Sequence, residues 1–304
     1  MPLEFTAFGE KFDLNLSPNK HLLAPYFQVW RHESANSIHE APELSRPRDC
    51  HYIHQNEKST AAVSVCDNGI NGLILLDNVT LEISPIEAES NGTNGIPHFI
   101  KRSHVTPLEY FLSERKFAPA NIEKASSISS AELTIELAVF FDEPGYRLFA
   151  PFFKNDEHQM RDMLLAYINA IQALYYHPSL GKRINIALVR LDLMKSQPSA
   201  LPHFNGQREK LLDSFCQYAA DNNPKEDDHP NHWDMALYVS ALDFYADENG
   251  QRNGVTMGLA TVSGVCYHQY SCVIAEFGVT NQWGKPYPSA GFTSVYIAAH
   301  EIGH

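Results

Sequence analysis

LTIELAVFF (Leu133–Phe141), EHQMRDMLLAYINAIQALYY (Glu157–Tyr176) and INIALVRLDL (Ile184–Leu193) follow one another in the second half of the chain. The first and third are short apolar runs, the composition of buried strands. The middle segment sets Met160, Met163, Leu164, Tyr167, Ile168, Ile171, Leu174 and Tyr175 at helical spacing, and Pro178 stops it. Toward the C-terminus, Gln207–Ala220 repeats the helical pattern with Leu211, Leu212, Phe215 and Ala219. Met235–Ser240 and Val255–Val262 read as further strands, and Phe292–His304 as a final helix, apolar at Phe292, Val295, Ala299 and Ile302. This order predicts an α/β domain built on a mixed, mostly parallel sheet.

Toward the N-terminus the pattern changes. Cys50–Ile86 consists of short β-favouring runs broken by Asp-Asn-Gly-Ile-Asn-Gly and Asp-Asn, which predicts a β-meander. Between Glu87 and Ser130 the chain is polar and rich in Gly and Ser, without a sustained period. The expected division is a β-rich domain over 1–125 and an α/β domain over 126–304.

With 304 residues, of which 44% are hydrophobic and 11% aromatic, the chain can bury substantial cores. A net charge of −13 argues against a nucleic-acid or anionic-membrane partner, because a phosphate-contacting face needs clustered Lys and Arg. No uninterrupted apolar stretch is long enough for a membrane span, and no secretion signal is visible at the start. The five cysteines, Cys50, Cys66, Cys216, Cys266 and Cys272, cannot all pair internally, which leaves an external partner or a free thiol. Asn15, Asn78 and Asn91 each open an Asn-x-Ser/Thr triplet, a pattern that fits a secreted glycoprotein.

The final helix carries the chemistry. In YIAAHEIGH (Tyr296–His304), His300 and His304 are four apart and share one helix face, so both can bind one cation. Glu301 follows the first of them, placed to act as general base. Zinc lowers the pKa of a bound water from about 15.7 to about 7, and a neighbouring carboxylate can take its proton as an amide carbonyl is attacked. Catalytic zinc takes three protein ligands, so one is still required: a histidine six residues on, a glutamate on a later helix, or one of His229, His232 and His268, which read as surface histidines in polar loops.

AAHEIGH, preceded by GVCYHQYSCVIAEFG, resembles the metalloprotease domain of the secreted ADAMTS family, a disintegrin and metalloproteinase with thrombospondin motifs. Further likenesses are HWDMALYVSALDF, LLDSFCQYAADNN, ALYYHPSLGKRINIALVRLD and TIELAVFFDE, while CHYIHQNEKSTAAVSVCDNGINGLI is similar to the β-rich core of the family's propeptide. The resemblance implies a metzincin-like, reprolysin-type catalytic domain after a propeptide, and a zinc endopeptidase of the extracellular space or matrix whose substrates are extracellular, notably matrix, proteins. It places the third zinc histidine just beyond His304 and a signal peptide before residue 1, so the chain is expected to be a zymogen fragment that is inactive alone. It pairs Cys50 with Cys66 and Cys216 with Cys272, and gives Cys266 a partner beyond the chain end. It also suggests a Ca2+ site using Glu136 and Asp234, with Asp243 a weaker candidate, and an edge strand around Gly258 and Gly264 that lines the cleft. TNQWGKPYPSAG (280–291) would be a loop shaping specificity.

Two departures from the family pattern stand out. YADENGQRNG lacks the cysteine pair usual after the third strand, and no furin-type site is present, the nearest dibasic pairs being Lys101-Arg102 and Arg115-Lys116. The alternative reading is a non-catalytic, propeptide-like or pseudoprotease binding protein without a third zinc ligand.

Overall fold

The structure, a computed structural model, describes residues 1–66, 69–76, 79–85, 96–104, 112–116, 132–248, 250–254, 257–280, 286–287 and 291–304. Asn78, Asn91, Val255, the boundary near residue 125 and most of the 280–291 loop lie outside the described residues.

Up to Lys116 every described regular element is a strand. These are β1 (Pro2–Ala7), β2 (Glu10–Asn15), β3 (Ser17–Pro18), β4 (Leu23–Ser34), β5 (Ser37–Glu40), β6 (His51–Gln55), β7 (Ser59–Cys66), β8 (Gly69–Leu76), β9 (Val79–Pro85), β10 (His98–His104) and β11 (Leu112–Lys116). The expected meander is present as an antiparallel sheet in the order β10-β9-β8-β7-β6-β3. Alternation sends Ala61, Val63, Ile74, Leu81 and Ile83 to one face, where Leu14 and Leu16 cover them. Ala62, Leu73 and Leu75 point the other way, into the main core. Burial on both faces explains why STAAVSVC carries so little polar alternation.

The elements that follow include β12 (Leu133–Phe141), α1 (Glu143–Phe149), α2 (Glu157–Tyr175), β13 (Ile184–Met194), α3 (Arg208–Asn222), β14 (Met235–Ser240), the hairpin β15 (Ala246–Glu248) and β16 (Gln251–Asn253), β17 (Gly258–Val262), β18 (Cys272–Glu276) and α4 (Gly291–Ile302). A second sheet runs β11-β17-β18-β14-β12-β13-β4-β5. Within it β18, β14, β12, β13 and β4 are parallel, and β17 is antiparallel to β18. Buried residues of α2 and α4 share the main core with one face of the sheet, and those of α3 join a second core on the other face with Phe140, Trp233 and Tyr238. The α/β class with a mixed, mostly parallel sheet is therefore observed.

Two features were not expected from the sequence. CVIAE forms the inner strand β18, and the N-terminal segment adds strands at both margins of the second sheet, β4 and β5 beyond β13 and β11 beyond β17. Composition divides the chain near residue 125, but the second sheet does not divide there. Leu22, Phe27, Val29, Ile53, Ala62 and Leu73 lie in one core with Leu137, Leu164, Ile168 and Ile297. Polar bonds fasten the same junction: Gln55 Nε2 donates to Tyr176 O (2.5 Å), Asn169 Nδ2 to Tyr52 O (3.1 Å) and Arg161 Nη1 to Leu44 O (3.1 Å).

Asp142 closes β12 and caps α1, accepting from Gly145 N at 2.7 Å and from the Ser240 hydroxyl. It is fully buried, and burial pushes its carboxyl from 3.8 up to about 7 against the pull of those donors. A folded pKa above the unfolded one means that the native state holds the extra proton. Its stabilisation is complete below about pH 4 and is lost as pH rises to about 7. Relative to Asp142→Asn, the wild-type protein should lose about 2 kcal/mol between about pH 5 and pH 7. Urea midpoints at the two pH values measure this, and parallel profiles would refute it.

Candidate metal centre

α4 is held between α2 and the sheet by Val295, Ile297, Ala298 and Ile302, all buried. This apolar stripe fixes which side chains remain for the cleft. His300 and His304 lie one turn apart with their Nε2 atoms 2.9 Å from each other and their rings nearly perpendicular, at 88°. Zinc bonds to imidazole at about 2.0–2.1 Å, so two tetrahedral ligands have nitrogens about 3.4 Å apart. The two rings already face one point, their nitrogens about half an ångström closer than that spacing. The donor set fits a borderline-soft cation such as zinc.

Glu301, the residue after His300, is wholly buried. A Cβ built on Gly258 would lie 2.7 Å from Glu301 Oε1 and 2.7 Å from Ile297 Cγ2. The edge strand thus passes directly over the carboxylate, and only glycine permits that approach. At the other end of β17, Ser263 N donates to His304 O at 2.6 Å. β17 thus lies close against α4 at Gly258 and is bonded to the end of the chain at Ser263.

The far edge of β17 carries β11 in parallel register, from Leu112 opposite Gly258 to Lys116 opposite Val262. Both dibasic pairs therefore lie inside paired strands, Lys101-Arg102 in β10 and Arg115-Lys116 in β11. Sequence reasoning missed β11 because Leu-Ser-Glu-Arg-Lys has no apolar alternation to mark it.

Among the described residues, no third histidine or carboxylate joins His300 and His304 in a cluster of three. His232 Nδ1 lies 2.7 Å from Pro224 O, His268 Nε2 lies 3.1 Å from Ala220 O, and His229 Nδ1 accepts from Asn231 N at 3.1 Å. A separate group forms where β12 and β14 begin. Glu136 N donates to Asp234 Oδ2 at 2.8 Å and Asp234 N to Glu136 O at 2.9 Å. Potential ligand atoms of Asp227, His232 and Asp234 lie within 4.8 Å of one another. Burial and then the charge of Asp234 raise the Glu136 carboxyl pKa. Asp243 is at the other end of β14, where its charge bears on Glu276 rather than on Glu136.

Cys50–Cys66 and Cys216–Cys272 are disulfide-bonded, with sequence separations of 16 and 56. In the chain-entropy account such loops are worth about 3 and about 4 kcal/mol. Cys266 is a free, exposed thiol. Asn15 is exposed at the end of β2. Among the described residues no helix is long and apolar enough to cross a membrane.

Known proteins agree with this architecture. A family model described as the reprolysin family propeptide matches residues 1–53, and one described as reprolysin-like, metallo-peptidase family M12B, matches 162–304. "A disintegrin and metalloproteinase with thrombospondin motifs 7" of Mus musculus is 26% identical over 324 residues, covering 97% of this chain and 18% of that protein. The relative "adt-1" of Caenorhabditis elegans is 25% identical, covering 100% of this chain and 23% of that protein. "A disintegrin and metalloproteinase with thrombospondin motifs 14" of Homo sapiens is 24% identical, covering 98% and 24%. The chain thus spans about a fifth to a quarter of the length of these curated relatives. A solved structure, metalloproteinase-II from Bacteroides fragilis, covers 100% of this chain at 13% identity, but its TM-score of 0.37 carries no argument. The two family matches together take in more than half of the residues, and relatives of one kind run along nearly the whole length. Residues 1–53 are thus a reprolysin-type propeptide match and residues 162–304 a reprolysin-like (M12B) metallopeptidase match, in a chain whose curated relatives along nearly its whole length are ADAMTS proteins.

Proposed function

We propose that this chain is the latent part of a secreted zinc endopeptidase that cleaves extracellular proteins, matrix components among them. The observation that carries the reading is the convergence of His300 and His304 on one point, with Glu301 buried beside them beneath β17. When bound, zinc would polarise the scissile carbonyl and acidify the attacking water. Glu301 takes the proton from that water and returns it to the leaving amine. β17 offers its backbone edge to an extended substrate, fixing the peptide beside Glu301. A third protein ligand completes the site, with 1–125 acting as propeptide and 126–304 as catalytic domain.

In the described form β11 already holds the β17 edge, so a substrate strand has no partner there. With two ligands and an occupied edge, the 304-residue chain should bind zinc weakly and show negligible peptidase activity. In the full-length protein freed of the 1–125 region, Glu301→Gln should cut kcat about 100- to 10,000-fold while zinc stays bound. Unchanged turnover in that variant would overturn the assignment. A second reading is a non-catalytic binding protein. It predicts no turnover by the full-length protein under any treatment.

Glu136 and Asp234, with Asp227 beside them, are proposed to hold Ca2+, which takes six to eight oxygens. Calcium at about 100 times its Kd would add about 2.7 kcal/mol to stability. Tm should therefore rise by several degrees on adding calcium, and Glu136→Gln should remove most of the rise. An equal rise in that variant would place calcium elsewhere.

A further inference from the structure

α2 lies against α4 and touches it through two phenols. The Tyr167 hydroxyl meets the first part of α4, 2.8 Å from Ser294 Oγ and 3.1 Å from Ser294 O. The Tyr175 hydroxyl reaches the last turn, where it donates to Ala299 O at 2.8 Å. Ala299 is the residue before the first histidine of the metal pair. Its carbonyl also accepts from Gly303 N, but at 3.2 Å, and the same N–H bonds to His300 O at 2.9 Å. His304 N bonds to Glu301 O at 3.3 Å. The turn between the two histidines is thus drawn from α-type toward 3₁₀-type bonding, as helix ends commonly are before they fray.

A site whose two ligands sit on such a turn needs something outside the turn to fix its height. Tyr175 is buried among the apolar residues of the main core, and its ring cannot swing away without opening that core. Burial also raises its pKa, so the phenol remains a donor across the working range of pH. The Tyr167 contact is comparable in kind but lies at Ser294, six residues before His300. The two phenols therefore separate holding the helix in place from holding the ligand turn in place.

We propose that Tyr175 is a positioning residue of the metal centre: through Ala299 O it sets the height and rotation of the last turn of α4, so that His300 and His304 aim at one cation. This rests on the zinc reading given above. Tyr175 touches neither ligand ring nor reacting atoms, and acts as outer-shell partners of metal ligands do, whose loss costs about 10- to 100-fold in metal affinity.

The test compares Tyr175→Phe and Tyr167→Phe in the 304-residue chain. Each removes one hydroxyl and keeps the ring. Zn2+ affinity is read by competition with a chromophoric chelator, Co2+ coordination by its visible absorption, and folding by Tm in EDTA. Both variants should show a similar, small drop in Tm. Tyr175→Phe should weaken zinc about tenfold or more and alter the Co2+ spectrum, whereas Tyr167→Phe should stay within about twofold of wild type. Equal zinc affinity in Tyr175→Phe and wild type, or equal weakening in both variants, overturns the inference while leaving the zinc reading intact. A wild-type chain that takes up no zinc overturns the zinc reading and this inference with it.

Discussion

His300→Ala should lower the zinc affinity of the 304-residue chain by more than about 100-fold, leaving its melting temperature in EDTA nearly unchanged. The lower bound follows from outer-shell partners, whose removal alone costs about 10- to 100-fold; a ligand supplies a whole bond. With His300 gone, His304 would be the sole protein donor of the pair, since no third group joins them among the described residues. The small thermal effect follows from exposure, because His300 is half-buried on the cleft side while Ile297, Ala298 and Ile302 anchor the helix. Substitutions away from core packing usually stay within about 0.5 kcal/mol. A competition titration gives the affinity. Zinc binding that survives both His300→Ala and His304→Ala would move the metal site off α4.

Asp192→Ala should destabilise the protein by about 3–5 kcal/mol, the range for breaking a buried ion pair from one side. Asp192 is fully buried and pairs with Arg190, whose Nε donates to Oδ1 at 2.6 Å, and with His32, whose Nε2 lies 2.7 Å from Oδ2. Burial opposes its charge, but Arg190 and His32 hold its carboxyl below the usual 3.8. A depressed folded pKa contributes stability above about pH 4 that is lost as pH falls through the folded value. Alanine would strand the Arg190 guanidinium, stacked among Trp30, Phe140 and Trp233, without an acceptor in a dry environment. His32 and Trp30 belong to β4 and Asp192 to β13, so the loss falls on the seam between the N-terminal segment and the rest of the second sheet. His32→Ala should cost less, because Arg190 still neutralises Asp192. Urea unfolding followed by tryptophan fluorescence measures both variants. A loss below about 1 kcal/mol for Asp192→Ala would show that the seam is not held by this network.

The alternating half of the fold was legible because its signals are local. LTIELAVFF and INIALVRLDL are apolar runs of strand length, the α2 pattern keeps a helical period up to Pro178, and all three appear as read. That His300 and His304 share one helix face was legible for the same reason, since a spacing of four on a helix is local geometry. The disulfide pairs came through the family resemblance. What was not legible depends on partners far away in the chain. CVIAE holds an apolar run of only four residues, too short for periodicity to separate strand from buried coil. Nothing in LAPYFQVWRHES says that it pairs with β13 rather than with the meander. β11 is polar and held by backbone bonds, which leave no trace in side-chain pattern. His32 and Asp192 are separated by 160 positions, and Tyr175 and Ala299 by 124. In Tyr175 a residue assigned to the core by its spacing also places a hydroxyl on the ligand turn.

Anomalous diffraction at the zinc edge from crystals of the zinc-loaded chain asks the central question most directly. The account predicts one strong peak within about 2.0–2.1 Å of the Nε2 atoms of both His300 and His304. A peak only at Asp227, His232 and Asp234, or a cleft without zinc at saturating metal, would contradict it.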